Sequence, residues 1–512
     1  MKPLCKVFVV GLIVLFGGIK LNAQGTVYSF TLNKAGGNAP NQALGIALDP
    51  LTNSYVLGGF TSPLTIGSTV LSNPGGWPNI FLIRMRVSGS PLWARAPVTD
   101  YTIANAKVCC DSKGNSYIAG TFGGTNIAFG ASNLVNYASD HSGDIFLAKY
   151  DTAGTFKLLN RLGGTGKDMF GDMVADTDGN CFLTGGFQSP TFTAGNSNLV
   201  QQGAGGGDCF TARYDASGNV LWLEQGSNAR GTCVALDSAT NCYVGGYVIG
   251  PAVFDGQSPS NSVTTNFLAK YYYGGGLAWV RGDLKLGKFI CVDPAQNIYT
   301  SGTFSNSIQM GSLTLENSAA STMFVVKYDS NGTAQWARQL PGLGNDVLTG
   351  MVLDSSTNCW ISGYYASTAA PANTFAMVAQ LSPFGNLNAV SQITSPQSSA
   401  GGVAATKGPR GPAVFICGSY ATNFNFYHTI TNTGNPDVFT AWVLAPPALT
   451  SSIASTNLVC AWPNTDTNLV LEASSDFSSW ASVTNPVANV NGQNIVTNAM
   501  SGRAGFYRLR LR

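Results

Sequence analysis

The chain has 512 residues, of which only 10% are charged, and its formal net charge is +2 at pH 7. Nucleic acid and anionic membranes both need a basic footprint on the protein, so this balance speaks against either as a partner. Uncharged Asn, Ser, Thr and Gly must supply the polar surface, a makeup suited to an extracytoplasmic protein.

The first element is a leader. Lys2 and Lys6 flank a short basic start, Val7 to Ile19 is apolar, and Leu21-Asn22-Ala23 puts a small residue at a cleavage position. This is the layout of a secretory signal peptide over residues 1–23. The apolar run is about 13 residues long, whereas a spanning helix needs roughly 20. The mature chain is therefore expected to be secreted, periplasmic or cell-envelope, with no membrane insertion after signal cleavage. An uncleaved anchor is the lesser alternative.

Beyond the leader one skeleton recurs: Asp, Asn four residues on, an aromatic at plus six and Gly at plus nine. Copies start at Asp49, Asp111, Asp176, Asp237, Asp293 and Asp354. The matching Asn are Asn53, Asn115, Asn180, Asn241, Asn297 and Asn358. The aromatics are Tyr55, Tyr117, Phe182, Tyr243, Tyr299 and Trp360, and the glycines Gly58, Gly120, Gly185, Gly246, Gly302 and Gly363. A seventh, degraded copy has Pro409 in the Asp place and keeps Phe415 and Gly418.

Each unit reads as four short strands. An apolar strand such as Gly45 to Leu48 precedes the Asp, and Asp and Asn bracket a tight turn by bonding local N–H groups. The second strand carries the aromatic and ends at Gly, where a bulky side chain would obstruct close approach of strands. A longer polar segment follows, containing an apolar-x-apolar-Gly step such as Ile127-Ala-Phe129-Gly130 or Phe192-Thr-Ala194-Gly195. The third strand alternates with period two, as in Ile145 to Tyr150 and Phe324 to Tyr328. The fourth is marked by Trp93, Trp222, Trp279 or Trp336.

Four antiparallel strands per repeat is the pattern of a propeller blade. The fold class expected is all-β: a seven-bladed β-propeller over residues 24–447, with a small C-terminal β-sandwich-like module. The seventh repeat runs into Pro446-Pro447 without a fourth strand, while the mature start, residues 26–33, reads as a spare one. The expectation is that 26–33 completes blade seven and closes the ring, removing both open sheet edges.

One unit carries a resemblance. Gly163-Gly-Thr-Gly-Lys-Asp168, Asp176-x-x-Gly-Asn180, Gly185-Gly-Phe187, Asp208-x-Phe210-x-x-Arg213-Tyr214-Asp215 and Gly218-x-x-x-Trp222 together resemble the bacterial SBBP-type repeat of seven-bladed propellers. The resemblance covers about residues 26–445. Repeats one, six and seven depart most; Gln380-Leu381 stand for the basic–Tyr pair, and Gly385 lacks its Trp. What the resemblance implies is a fold and an extracytoplasmic setting, without catalytic residues to carry over.

Residues 448–512 read as a small all-β module, with Phe506 to Arg512 as its last strand. Trp462-Pro463, Leu471-Glu-Ala-Ser, Trp480 and Phe506-Tyr-Arg-Leu are similar to a C-terminal module of secreted proteins of Verrucomicrobia-type bacteria.

Several motifs admit both a site and a structural role. Asp176-Thr-Asp178-Gly-Asn180 opens like a calcium loop, but Leu51, Lys113, Ala239, Ala295 and Ser356 replace Asp178 in the other copies, so a turn is expected and no metal. Gly163 to Lys167 is followed by Asp168 rather than Ser or Thr, which rejects a phosphate loop. Both histidines, His141 and His428, stand in polar loop segments. Lys149, Arg213 and Lys327, each followed by Tyr, are read as an outward-facing edge device with a packed Tyr. Arg281-Gly-Asp283 is read as a chance tripeptide.

Of eleven cysteines, Cys181, Cys242 and Cys359 share one repeat position, and Cys109, Cys233 and Cys291 fall in the strand before the Asp; buried thiols are expected. Cys109-Cys110 is the best redox candidate. Trp77, Tyr137, Phe192, Phe254, Phe424 and Tyr427 fall in the loops that a propeller gathers on one face.

The function expected is therefore non-catalytic: no catalytic residue is singled out, no cofactor is implied, and the binding residues are left unassigned. A protein or glycan partner would be bound through the loop-rich face, or the chain would serve as an envelope scaffold. The alternative is a secreted carbohydrate-active lyase or hydrolase with a site over the central channel.

Overall fold

A computed structural model describes residues 13–14, 29–37, 41–86, 90–138, 140, 142–203, 206–259, 266–282, 284–317, 321–340, 345–366, 374–392, 398–408, 411–420, 424–426, 428–430, 437–444, 450–454, 457–463, 469–474, 481–490, 493–499 and 506–511. Among them every regular element is a β-strand, and the fold is propeller-like. The unit of construction is an antiparallel four-stranded array. Gln42–Leu48, Ser54–Phe60, Asn79–Met85 and Pro91–Arg95 form the first. The second is built from Ile103–Cys110, Ser116–Phe122, Asp144–Tyr150 and Phe156–Gly163.

The same order repeats along the chain. Asp168–Ala175, Cys181–Phe187 and Asp208–Tyr214 pair in turn, and the long strand Val220–Leu236 follows. That strand is outermost in one array and then innermost in the next, where Cys242–Phe254, Asn266–Tyr271 and Leu277–Arg281 join it. Further arrays begin at Phe289–Val292 and Val347–Leu353. The array of Ser398–Gly408, Gly411–Tyr420 and Asp437–Leu444 takes Ser29–Gly37 as its neighbour, pairing Ser29 with Trp442 and Thr31 with Thr440.

Two local rules position these strands. Most inner strands carry a register shift at one equivalent place, as between Ala43 and Gly45, Phe170 and Asp172, and Leu348 and Gly350. A bulge there bends the strand and increases its twist. The segment read from sequence as an apolar step is in fact a hairpin, as in Asn126–Phe129 with Ser132–Val135 and Thr191–Ala194 with Ser197–Val200. Gly130 and Gly195 turn these hairpins at φ of 62° and 58°, a left-handed geometry that suits glycine.

The hairpins also cover sheet edges. Leu162 and Gly163 at the end of the second array pair with Ala194 and Thr193 of the following hairpin. Gly36 and Gly37 pair likewise with Thr65 and Leu64. The pairing covers the last two residues of each edge strand and so shortens the free row of N–H and C=O groups it presents.

After Leu444 two further sheets occur. One holds Thr450–Ala454, Asn457–Pro463, Gln493–Ala499 and Ala488–Val490; the other holds Leu469–Ser474, Phe506–Leu511 and Ala481–Ser482. Cys460 and Val496 of the first and Leu471 of the second are buried. Within the leader region the described pair Ile13–Val14 lies against Tyr507 and Phe506. The remaining leader residues, Pro409, Pro446-Pro447 and Trp480 lie outside the described residues.

Candidate functional site

The repeated Asp is consumed by its own turn. In the second array Asp111 accepts from the N–H groups of Lys113 and Asn115 (3.0 and 2.8 Å), from Asn115 Nδ2 (2.7 Å) and from the Tyr117 hydroxyl (3.1 Å). Asp176 is held in the same way by Asp178 N–H, Asn180 N–H and Asn180 Nδ2. Trp360 Nε1 takes the aromatic's part for Asp354 at 2.9 Å. Asp178 stands exposed beside the turn. The carboxylate oxygens that a calcium loop would aim at an ion thus serve backbone donors. In the degraded copy the register sets Thr406 opposite Ala413, the positions Asp and Asn hold elsewhere, so that hairpin is longer than its sequence skeleton suggests.

The expectation of outward-facing basic residues is corrected. Tyr55 stands directly across from Arg84, Tyr117 from Lys149, Phe182 from Arg213 and Tyr299 from Lys327. Each cation lies over that aromatic ring, the Lys149 and Lys327 ammoniums at 4.9 Å. Arg84 and Lys327 also pair with the turn Asp, at 2.5 Å to Asp49 and 3.5 Å to Asp293. The remaining donors reach the next array: Lys149 Nζ to Ala216 O at 2.7 Å, Arg213 to Tyr273 O at 2.7 Å, Lys327 to Pro383 O at 3.4 Å. Trp222 and Trp336 donate to the same two carbonyls, Tyr273 O and Pro383 O. The partner Tyr150, Tyr214 and Tyr328 side chains are buried, as expected.

A second polar cluster gathers where the second and third arrays meet. Asp168 accepts from Gly164 N–H and Ser189 Oγ, both at 2.7 Å, and Gly166 N–H donates to Ser189 Oγ at 2.9 Å. A protein carboxylate therefore takes the Gly164 N–H of the Gly163–Lys167 loop and the Ser189 hydroxyl takes that of Gly166, while Lys167 itself is exposed. A Cβ on Gly163 would stand 2.0 Å from Asp144 Oδ1 and 2.9 Å from Asp168 Oδ2, so the two carboxylates converge on that glycine. Both are fully buried. Burial pushes the Asp168 carboxyl up to about 7, with the Asp144 charge adding to it against the bonds from Ser189 and Gly164. Burial also raises Asp144, opposed by Tyr137 N–H and by Arg161 at 2.9 Å.

The loop aromatics divide. Phe192 and Phe254 are buried under their own hairpins, Phe192 stacked 4.7 Å from Phe210 and Phe254 4.6 Å from Phe267. Trp77 is 45% exposed and packs 4.8 Å from Tyr101, itself 43% exposed. Tyr137 is 56% exposed, with the Arg161 guanidinium 3.5 Å from its ring centroid. Trp77, Tyr101 and Tyr137 stand on second-to-third-strand and inter-array loops, which an antiparallel array sends to one end. Tyr101 was missed in the sequence because a single tyrosine in a short connection carries no pattern. Phe424 and His428 belong to a two-stranded pairing described by backbone alone; His141, Tyr427 and Asp283 lie outside the described residues. Arg281 donates to Asn331 O.

The inner strands surround a cavity of about 550 Å³, lined among others by Leu44, Val108, Met173, Val234, Ile290, Val352 and Ala404. Neighbouring inner strands contact one another in chain order, and Ser398–Gly408 contacts Gln42–Leu48. Lys107, Asp172 and Phe289 also line this cavity. The Asp172 carboxylate accepts from Val234 N–H at 3.2 Å; burial raises its pKa and the Lys107 charge opposes that. Cys109, Cys110 and Cys291 are among the residues of the cavity wall and are free thiols, Cys110 and Cys109 packing against different core clusters on the two faces of their strand. Burial holds the Cys110 thiol well above its ordinary range, which leaves little of the reactive thiolate at neutral pH. Cys181, Cys242 and Cys359 are buried free thiols.

No family model matches the chain. It is 23% identical over 457 residues to an uncharacterized WD repeat-containing protein of Acanthamoeba polyphaga mimivirus, the match covering 71% of this chain and 32% of that protein. The chain thus spans about a third of its relative's length. Among solved structures it is similar to the Dos1 propeller, with a TM-score of 0.40 at 8% identity, covering 80% of this chain and 95% of that one. The hemagglutinin-neuraminidase of parainfluenza virus 5 gives 0.32 at 9% identity, covering 82% and 94%. An exo-β-1,3-galactanase from Clostridium thermocellum gives 0.27 at 11% identity, covering 91% and 95%. Likenesses this distant assign no activity to the chain.

Proposed function

We propose that the chain is a non-catalytic, exported β-propeller of seven SBBP-type blades that binds a protein or glycan partner through its loop-rich face. The observation that carries this reading is the exposure of Trp77, Tyr101 and Tyr137 at the loop end of the first two arrays. Large amphipathic rings kept in solvent are what partner recognition uses. The titratable residues of the repeats are meanwhile spent on turns and on joints between arrays. Asp144 and Asp168 converge, yet both are sealed from solvent and committed to loop donors, which favours binding over a lyase or hydrolase. The ring of seven draws support from the succession of inner strands around one cavity and from the pairing of Ser29–Gly37 with Asp437–Leu444. The WD-repeat relative fits a protein partner better than a glycan.

The test is a glycan array and an affinity capture from envelope extract with the mature protein, each repeated with Trp77→Ala and Tyr101→Ala combined. Binding that drops about tenfold or more in the double variant supports the reading. Binding that survives the double variant unchanged sinks the assignment of this face.

A further inference from the structure

The turns between third and fourth strands share one design, and in one array that design carries a further group. In the second array Asp151 Oδ1 accepts from the N–H groups of Ala153 and Thr155, both at 2.9 Å. In the third, Asp215 Oδ1 takes those of Ser217 and Asn219, both at 2.8 Å. In the array that begins at Phe289–Val292, Asp329 Oδ1 takes those of Asn331 and Thr333, at 3.0 and 2.9 Å. Gly332 closes this turn at φ of 79°, and its N–H donates to Asp329 O at 2.9 Å. The tip residue is thus Ala153, Ser217 or Asn331, each of them exposed.

At Asn331 the tip becomes an acceptor. Thr333 puts a hydroxyl two residues after it, and no other Asn of the sequence is followed at that distance by Ser or Thr. Asn-x-Ser/Thr is the acceptor pattern of N-linked glycosylation in exported proteins. Asp329 stands two residues ahead of the Asn, which completes the longer pattern read by bacterial oligosaccharyltransferases. The Asn331 backbone is fixed on both sides, its N–H by Asp329 and its C=O by Arg281. The Asn331 amide and the Thr333 hydroxyl have no hydrogen-bond partner among the described residues. Gly332 N–H, whose nitrogen would attack that amide in spontaneous deamidation, is held by Asp329 O. The strand that follows, Ala334–Gln339, is outermost in its array and pairs with Thr322–Tyr328. This end of the hairpin can therefore open locally while the buried core stays closed.

We propose that Asn331 is the acceptor of an N-linked oligosaccharide, presented at a turn tip on the end of the arrays opposite the loop face. The proposal rests on the export read in the leader, since the sugar donor is an oligosaccharide carried on a polyprenyl diphosphate at the outer side of a membrane. In the transfer, Asn331 Nδ2 forms a C–N bond to the anomeric carbon of the sugar. The bond from that carbon to the diphosphate oxygen breaks, the polyprenyl diphosphate leaves, and the amide gives one proton to a base of the transferase. Thr333 supplies the hydroxyl by which the enzyme docks the acceptor, and Asp329 the charge ahead of it once the turn opens. A glycan at this end leaves Trp77, Tyr101 and Tyr137 uncovered at the other.

The experiment incubates the purified full chain with a bacterial oligosaccharyltransferase and a polyprenyl-diphosphate oligosaccharide of known mass, then reads intact mass and a peptide map. A gain of one oligosaccharide, mapped to the peptide that holds Asn331, is expected. Asn331→Gln and Thr333→Val should each abolish it. Ala153→Asn completes the same pattern between Asp151 and Thr155 in the matching turn of the second array, and should add a second oligosaccharide. No mass gain in the parent chain overturns the proposal, and so does a gain that persists in Asn331→Gln. An unmodified residue 153 in Ala153→Asn would refute presentation by the turn. Because enzyme and donor are supplied directly, a negative result speaks against the acceptor and leaves export untouched. Fractionation of cells that express the chain with its leader tests export by itself.

Discussion

Gly185 shows how tightly one residue can be specified by a neighbour it never bonds. It stands directly across from Phe210, whose ring lies over the glycine; an added Cβ would come within 2.6 Å of that ring and 2.2 Å of Met169 O. Gly58 under Phe81, Gly246 under Phe267 and Gly418 under Phe439 repeat the arrangement. The recurrent glycine is therefore a seat for an aromatic ring, and backbone blocks the second side so that relaxation is limited. Gly185→Ala should cost about 2–4 kcal/mol, read as a lowered urea midpoint. The turns give an opposite case. Gly179 holds φ at 88° in one turn, whereas Thr357 holds 59° at the equivalent place in another. A β-branched residue pays roughly 1–2 kcal/mol there, part of which glycine returns as unfolded-chain entropy. Thr357→Gly should raise stability by about 0.5–1 kcal/mol, and a lowered midpoint would contradict the strain assigned to that position.

Between residue and molecule, the connection Gly163 to Asp168 acts as a titratable joint. Asp168 ties Gly164 of the outgoing loop to Ser189 of the next array, and Asp144 reaches the same glycine step from the preceding strand. The folded carboxyl of Asp168 keeps its proton up to about pH 7, while an unfolded aspartate releases it near 3.9. Within that window the folded state binds more protons, so stability from this group is greatest below the unfolded value and is lost as pH rises through 7. Asp144, also raised by burial, acts in the same direction. The melting temperature is therefore expected to fall between pH 5 and pH 8, by an amount equivalent to roughly 2–3 kcal/mol. Asp168→Asn should flatten most of that dependence. An Asp168→Asn profile parallel to the parent's would show that the joint does not titrate in this range.

At the scale of the whole molecule, what sequence could reveal depended on how far apart partners lie. The Asp–Asn turn closes over a few residues, so its residue types announced it; four-strand units followed from period-two alternation and glycine spacing. The destinations of Arg84, Lys149, Arg213 and the tryptophans could not be read, because their acceptors sit in the next array, 51 residues away for Trp222 and 68 for Arg84. The edge-pairing hairpins looked like polar loop because each strand is only three or four residues long. Lys107 and Asp172 did leave a trace, being charges at a strand position otherwise held by small or apolar residues, but strand periodicity alone did not say what they faced. The ring proposed above depends on one pairing. Ser29–Gly37 covers the open side of Asp437–Leu444 and then, through Gly36 and Gly37, meets Leu64 and Thr65 of the first array. Deleting Ser29–Gly37 should bare a row of unpaired backbone groups, the condition under which strands of separate chains add to one another. Amide exchange should then accelerate in Asp437–Leu444 and at Leu64–Thr65 while the central arrays stay protected, and sedimentation should show association that grows with concentration. If exchange in those strands and the sedimentation of the deleted chain both match the parent, the strand is not what joins the last array to the first, and the closed ring proposed above is wrong.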